Sequence, residues 1–493
     1  MAQTKTITTT LDRLPAGVGG SGMENGKLKK FPLPETVTRG MLFKDIILIA
    51  WPTLVELLLT QLTSMADQVM VGRLPGAEGI VGLSAVGLAA QPKFLLMTMI
   101  MSLNVGVTAV IARFRGQQDQ TKVRQTFRQM LLLNLLVGLV FMGLGLAFSP
   151  QLIRIMSGSG ISDDTYRAAV EYLNIQLYGL IPLTITFTIT ASLRGIGDSR
   201  IPLLYNTIAN VVNLIMNYIM IYGKFGCPAM GVAGASWATV IGQTVAFLIA
   251  AGVVFSGKHY IHFEIRKLRQ RDPNILRDVV NIGIPAMVEQ LFMRLGVMIF
   301  TRAVAGLGDT LYATHQICMN VQGLTFMTGQ AFAASATTLM GQSLGKRRED
   351  MASIYMQHTR AVGFAVSVIL GILIAVFNKA VVGFYNSNPE VIAAGGGVML
   401  LIAVSQPLQS MQFIVSGGLR GAGDTRYTAF VIMITTLGVR SVLAVLLVTI
   451  LGWGLWGAWI ALMMDQCIRT VLMVHRYNTG KWVSIWGNRV TRT

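Results

Sequence analysis

The sequence predicts an all-α polytopic membrane protein: twelve transmembrane helices forming two six-helix lobes, related by a parallel repeat along the membrane normal. Composition, the placement of basic residues and internal repetition carry that prediction. Of 493 residues, 53% are apolar and 13% charged, and the mean hydropathy is +0.58. A soluble chain would carry about a quarter charged residues. Apolar segments of roughly twenty residues recur from Ile46 to Val474, each long enough to cross a bilayer as a helix. The spans fall near 46–70, 81–111, 129–149, 168–191, 202–222, 232–256, 278–301, 311–341, 361–385, 391–417, 427–451 and 455–474.

The formal charge of +18 would suit a nucleic-acid binder if it formed one patch. It does not. Lys and Arg crowd the N-terminal tail and every second loop, while the opposite loops hold Arg73, Arg154, Arg167, Lys224, Arg302 and Lys379. That is the positive-inside pattern, and it places both termini in the cytoplasm. The basic excess reports topology, so the bilayer is the expected partner and nucleic acid is not. Cys227, Cys318 and Cys467 are too scattered for a disulfide framework or a CxxC metal site. Residues 1–42 are polar, lack a signal-peptide core and are expected to be a disordered tail. An N-terminal lobe then covers 43–257, a basic linker 258–277, a C-terminal lobe 278–475 and a cytoplasmic tail 476–493.

The lobes are copies. "ASLRGIGDSRIPL" at 191–203 answers "GGLRGAGDTRYTA" at 417–429, and "WPTLVELLLTQL" at 51–62 answers "IPAMVEQLFMRL" at 284–295. "ARFRGQQD" at 112–119 pairs with "GQSLGKRRED" at 341–350, and "GVAGASWATVIGQ" at 231–243 with "GLWGAWIALMMDQ" at 454–466. An even number of spans per copy inserts both in the same orientation. No strand precedes either LRGxGD segment, so each reads as a tight turn whose Arg and Asp pin helix ends, not as a phosphate cradle.

Charges inside spans are costly, and each invites a functional reading. The first span carries Glu56 and Asp67, the seventh Glu289, and the last Asp465, which can pair with Arg469 one turn on. Lys93, Arg294 and Arg440 also lie within spans. Glu56, Thr60, Thr63 and Asp67 share a 4-3-4 spacing with Asn206, Asn210, Asn213 and Asn217, so each set lies in a narrow arc of one helix face. The two stripes are natural partners, the asparagines forming a neutral wall beside the charge of Asp67. Glu56 and Glu289 occupy equivalent places, as a substrate or proton site would require, or a structural contact with a basic residue such as Arg294. Gln61 is a further polar candidate. The 28 methionines would suit an adaptable lining or ordinary packing.

"MADQVMVGRL", the paired LRGxGD loops and "GQSLGKRRED", in that order, resemble the MATE family of multidrug and toxic-compound extrusion transporters, from about residue 40 to 480. The resemblance implies a twelve-helix antiporter, a monomer in the bacterial cytoplasmic membrane, that expels organic cations or amphipathic drugs in exchange for H⁺ or Na⁺. In one branch of the family an aspartate on span one is joined by residues on spans five and six. Asp67, Asn213 and Thr239 match that set, while Asn217 stands where a second aspartate is usual. One carboxylate suits a proton, and its amide neighbours could still ligate Na⁺ at Asp67. The other branch uses acids on spans seven and ten; Glu289 lies near the first position and Gln409 occupies the second. The N-terminal lobe is therefore the expected ion site.

There is no GxxxxGK[ST], HExxH or GxSxG segment. Neither an enzyme nor a cofactor is expected, and transport would draw on an ion gradient. A flippase for lipid-linked precursors would favour more intramembrane cations, and a channel or receptor would not explain the duplication.

Overall fold

The computed structural model describes residues 9–17, 23–24, 27–28, 31–75, 77–156, 161–257, 259–263, 272–385, 388–483 and 485. Residues 258 and 264–271 of the expected basic linker and the end of the C-terminal tail lie outside the described residues. The helices are α1 (Thr10–Arg13), α2 (Arg39–Gly72), α3 (Ala77–Gly116), α4 (Gln120–Met156), α5 (Asp163–Tyr178), α6 (Leu180–Gly195), α7 (Arg200–Tyr222) and α8 (Gly231–Phe255). Then come α9 (Pro273–Ala305), α10 (Asp309–Gly345), α11 (Glu349–Val376), α12 (Asn378–Tyr385), α13 (Pro389–Gly421), α14 (Thr425–Met433), α15 (Val442–Val445) and α16 (Gly454–Asn478). A two-residue strand pair joins Met23–Glu24 to Lys27–Leu28.

Counting α5 with α6, α12 with α13, and 425–450 as one rod, the long helices among the described residues number twelve. Among the described residues nine are long and apolar enough to cross a membrane, and α5 with α6, bent by 47°, makes a tenth. The polar-striped α2 and α10, of 34 and 37 residues, complete the set; both exceed the roughly twenty residues a span needs. The repeat is visible in the backbone. Gln118 (φ 60°) and Arg347 (φ 57°) are equivalent loop residues, and both adopt the left-handed conformation. Gly197 (φ 93°) and Gly423 (φ 86°) close the two LRGxGD turns, where a side chain would be strained.

The helices gather into two compact units whose limits differ from the expected lobes. One comprises Val55–Ile111 and Gln120–Val279; the other adds Thr8–Leu54 and Ala112–Asp119 to Val280–Thr493. The reason is apolar burial. Leu42, Ile46 and Ile49, on the first half of α2, are buried with Leu339, Leu344, Tyr355 and Ile414 of the second unit. Pro52 sits at the change of allegiance, where a ring that removes a backbone donor lets the helix bend. The described part of the N-terminal tail departs from the expected disorder, and the start of the C-terminal tail is packed as well. Leu11 and Leu14 are buried in the same cluster, and Trp482 stacks on Tyr477 with centroids 5.8 Å apart.

The first unit packs Val71, Ala85, Ile153, Leu173, Ile221 and Ala235 together near one end. The second has a further core of Phe300, Met399, Ile402, Trp459 and Leu462. Buried amides add direction: Asn134 donates to Asn104 (3.0 Å) and to Thr188 (2.8 Å). Residues 434–441 and 446–450 are π-helical. Each wide turn shifts the side chains off the 3.6-residue period that α7 keeps.

Candidate functional site

The two polar stripes meet as a ladder. Asn206 donates to Glu56 at 2.9 Å, Asn210 to Thr60 at 3.5 Å, and Asn217 to Asp67. Every rung joins residues 150 apart in sequence, so α2 and α7 run parallel in one register. Glu56 and Asp67 lie eleven residues, about 16 Å, apart along α2. At the Asp67 end the site gathers a third helix. Turned so that its amide nitrogen faces the carboxylate, Asn213 donates to Asp67 at 3.1 Å, and its oxygen accepts from the Thr239 backbone N–H at 3.1 Å. Asn213 and Asn217 are buried, at 5% and 0% exposure. Gly242 on α8 allows that approach, because a Cβ there would lie 3.0 Å from the Asn213 Cβ.

Asp67 therefore sits among amide and hydroxyl groups. Lys93 is close enough to act on it electrostatically, yet among the described residues the two form no contact ion pair. Asn217 Oδ1 is buried without a hydrogen-bond partner beside the carboxylate. The carboxylate and the unpartnered Asn217 Oδ1 beside it are oxygen donors of the kind that suits a hard cation, and each amide turned over would add its oxygen. Among the described residues no group of three His, Cys, Asp or Glu side chains is close enough to hold a metal ion.

Glu56 lies at the other end of the ladder and is held by Arg194 at 2.8 Å. Its repeat partner Glu289 is held by Arg420 in the same way, with Thr428 donating at 3.5 Å. The basic partners of both glutamates are thus the arginines of the LRGxGD turns. The sequence held a signal that could have found them, since both Glu and Arg are duplicated in register. The aspartates of those turns pin helix ends: Asp198 accepts from the Arg200 and Ile201 backbone N–H groups (3.1 and 3.4 Å), and Asp424 from Arg476 (2.7 Å). Burial pushes the Asp198 carboxyl above its ordinary range, against those hydrogen bonds and the nearby charges of His259 and Arg200.

The second unit replaces the amide stripe with fixed charge. Asp465 lies between Arg440 (2.5 Å) and Arg469 (2.7 Å). Arg469 also donates to Thr435 (3.0 Å) and Thr436 (2.7 Å). Gln409 is buried with its Oε1 unpartnered. Arg294 and Gln61 are half-buried, on α9 and α2. A cavity of about 530 Å³ is lined by Pro150, Tyr166, Arg167, Val170, Glu171, Asn174, Ile175 and Trp237 and touches none of the predicted site residues.

The MatE family model matches this chain twice, over residues 52–219 and 285–446. The chain is a MATE-family transporter. The two matches begin at Pro52 and Pro285, the prolines that open the repeated segments. A probable multidrug resistance protein NorM of Thermotoga maritima is 28% identical over 440 residues, covering 89% of this chain and 93% of its own. The uncharacterized transporter YisQ of Bacillus subtilis is 25% identical, covering 88% and 94%. The fold matches a multidrug resistance MATE transporter of the MOP superfamily, solved in an outward-facing conformation, with TM-score 0.82 at 21% identity over 90% of this chain and 97% of that one. A MOP-superfamily transporter from Pyrococcus furiosus gives 0.81 over 90% and 96%. This MATE protein is thus a multi-pass membrane transporter of two six-helix lobes.

Proposed function

We propose that this transporter is a secondary antiporter that exports cationic or amphipathic organic compounds, as a monomer in a bacterial cytoplasmic membrane, in exchange for H⁺ or Na⁺. The reading rests on one observation above others: an intramembrane carboxylate, Asp67, is held by neutral amides rather than by a contact ion pair. Such a group can change charge without leaving a buried arginine unpaired. When ionised, Asp67 accepts from both amides. When it takes a proton it becomes a donor, and the unpartnered Asn217 Oδ1 is the nearest acceptor that a turned amide can offer. Na⁺ would use the same oxygens. In either case the α2–α7 ladder is repacked at Asp67, and an ion that favours one packing shifts the population toward it. The paired Glu56 and Glu289 then serve to hold helices, not to carry the ion.

The test is efflux of a fluorescent organic cation from proteoliposomes under imposed pH or Na⁺ gradients. Wild type should respond to one gradient, and folded Asp67→Asn should lose that response. Unchanged coupling in Asp67→Asn would refute the assignment. Indifference of wild type to both gradients would refute ion-coupled export itself.

A further inference from the structure

The residues before the first span form a built interface with the second unit. A single turn begins at Thr9, whose N–H donates to the Asp12 carboxylate at 3.0 Å while the Asp12 N–H donates to the Thr9 carbonyl at 3.0 Å. Leu11 and Leu14, at 3% and 8% exposure, are buried beside Leu344 and Met351. The turn's backbone is then gripped. Thr10 N–H donates to Asp45 at 2.8 Å, and Lys346 Nζ donates to the carbonyls of Leu11 and of Leu14 (2.6 Å). The Gly17 N–H donates to the Lys346 carbonyl at 3.1 Å, and Arg115 pairs with Asp12 at 3.3 Å.

Lys346 and Arg115 belong to the two repeated loops, 341–350 and 112–119. Those loops pack backbone to backbone: a Cβ on Gly116 would lie 2.0 Å from the Gln342 carbonyl, and one on Gly345 would lie 2.0 Å from the Arg113 carbonyl. The docked turn bonds to both loops at once. We propose that this surface is a binding site for the chain's own segment Thr9–Gly17, and that the docked segment is a latch that holds the junction of the two loops closed. The site takes a short capped helical turn with two leucines and one carboxylate, because Asp45, Arg115 and Lys346 read its backbone ends and its Asp12. Because the segment belongs to the same chain as its site, docking is intramolecular, and a free peptide has to match the corresponding effective concentration to replace it. Docking is therefore reversible and open to competition. The inference rests on the exporter reading only in that uptake from that face requires the loops to part.

Junction opening can be read without transport. The full chain, with Cys227, Cys318 and Cys467 changed to Ser and Ser343→Cys introduced, is placed in proteoliposomes and treated with a permeant maleimide. Ser343 is fully buried, so its labelling rate reports the parted state. Deletion of residues 1–17, or Leu11→Asp, should speed labelling about tenfold or more, since undocking two leucines is worth at least a decade in an equilibrium. A millimolar peptide of residues 8–17 should restore protection to the truncated protein. Asp12→Arg should also speed labelling, and adding Arg115→Asp should reverse it. Wild-type labelling rates after truncation would overturn the latch. Where truncation impairs folding, the charge swap decides: recovery in the double variant supports the latch and lack of recovery overturns it.

Discussion

Alanine at Gly116 should force two backbone segments apart. Its Cβ would meet the Gln342 carbonyl oxygen at 2.0 Å, the carbonyl carbon at 2.8 Å and the Cα at 3.0 Å. Ordinary carbon–oxygen contacts begin near 3.3 Å, so the loops must separate by about 1.3 Å at that point. All three obstructing atoms are backbone, and no rotamer change relieves them. Overpacking of this kind costs about 1–3 kcal/mol, and 2 kcal/mol shifts the ratio of closed to parted junction by about thirtyfold. Hydrogen exchange of the amides in 112–119 and 341–350 is the direct assay, with Gly143→Ala as the control because nothing lies within 4 Å of its Cβ. Faster exchange confined to the two loops in Gly116→Ala is expected, and Gly345→Ala should reproduce it from the other side. Exchange in Gly116→Ala equal to that in Gly143→Ala, with both folded, would show that the junction is not the tight contact described.

Asp465→Asn removes the carboxylate between Arg440 and Arg469, and breaking a buried pair costs about 3–5 kcal/mol; the variant should melt well below wild type, and an unchanged melting temperature would contradict the role given to the triad. A double-mutant cycle of Glu289→Gln with Arg420→Gln should give a coupling of about 1–3 kcal/mol, as should Glu56→Gln with Arg194→Gln. Additive melting shifts would exclude those pairs as helix ties. Burial raises the folded pKa of Asp198, so its ionisation opposes folding: the stability it confers is present below the ordinary carboxylate range and is lost as pH rises through the raised pKa. Relative to wild type, Asp198→Asn should therefore gain stability from acid to neutral pH, less whatever its backbone bonds lose, and a pH-independent difference would show that Asp198 titrates normally.

What the sequence revealed here was periodicity and repetition. The 4-3-4 spacing on α2 and α7 was enough to align two faces, because a regular helix converts spacing into direction. The 150-residue register of the ladder follows from it. Partners that depend on how distant helices cross were less legible. Glu56 and Arg194 are 138 residues apart, and the arginine stands at the end of a turn motif that reads well on its own. The π-helical turns around Arg440 leave no mark in composition, and in the sequence span eleven differs only by lacking asparagines. The docked tail is hard to read for a related reason: two leucines within "TTTLDRLPAG" are too few to register as hydrophobic, yet both are buried. Unit limits likewise follow burial, which assigns half of α2 to the far end of the chain.

The two halves keep the same brace and spend the rest of the scaffold differently. In each, a glutamate on the first long helix of the repeat binds the LRGxGD arginine. Beyond that brace, the first half presents amides to one carboxylate. The second sets Thr436 at the repeat position of Asn210 and closes on it, since a Cβ at Gly296 would meet the Thr436 methyl at 2.1 Å. Its remaining acid is already neutralised by two guanidinium groups, a pairing that is costly to break and therefore resists repacking. A coupling ion has to find a group that can gain or lose charge at modest cost and an adjoining contact that can rearrange. Asp67 with its turnable amides meets both conditions, and Asp465 meets neither. On the exporter reading proposed above, duplication would thus supply one lobe whose polar interior can switch and one whose polar interior is fixed, which is why that reading assigns the coupling chemistry to the first.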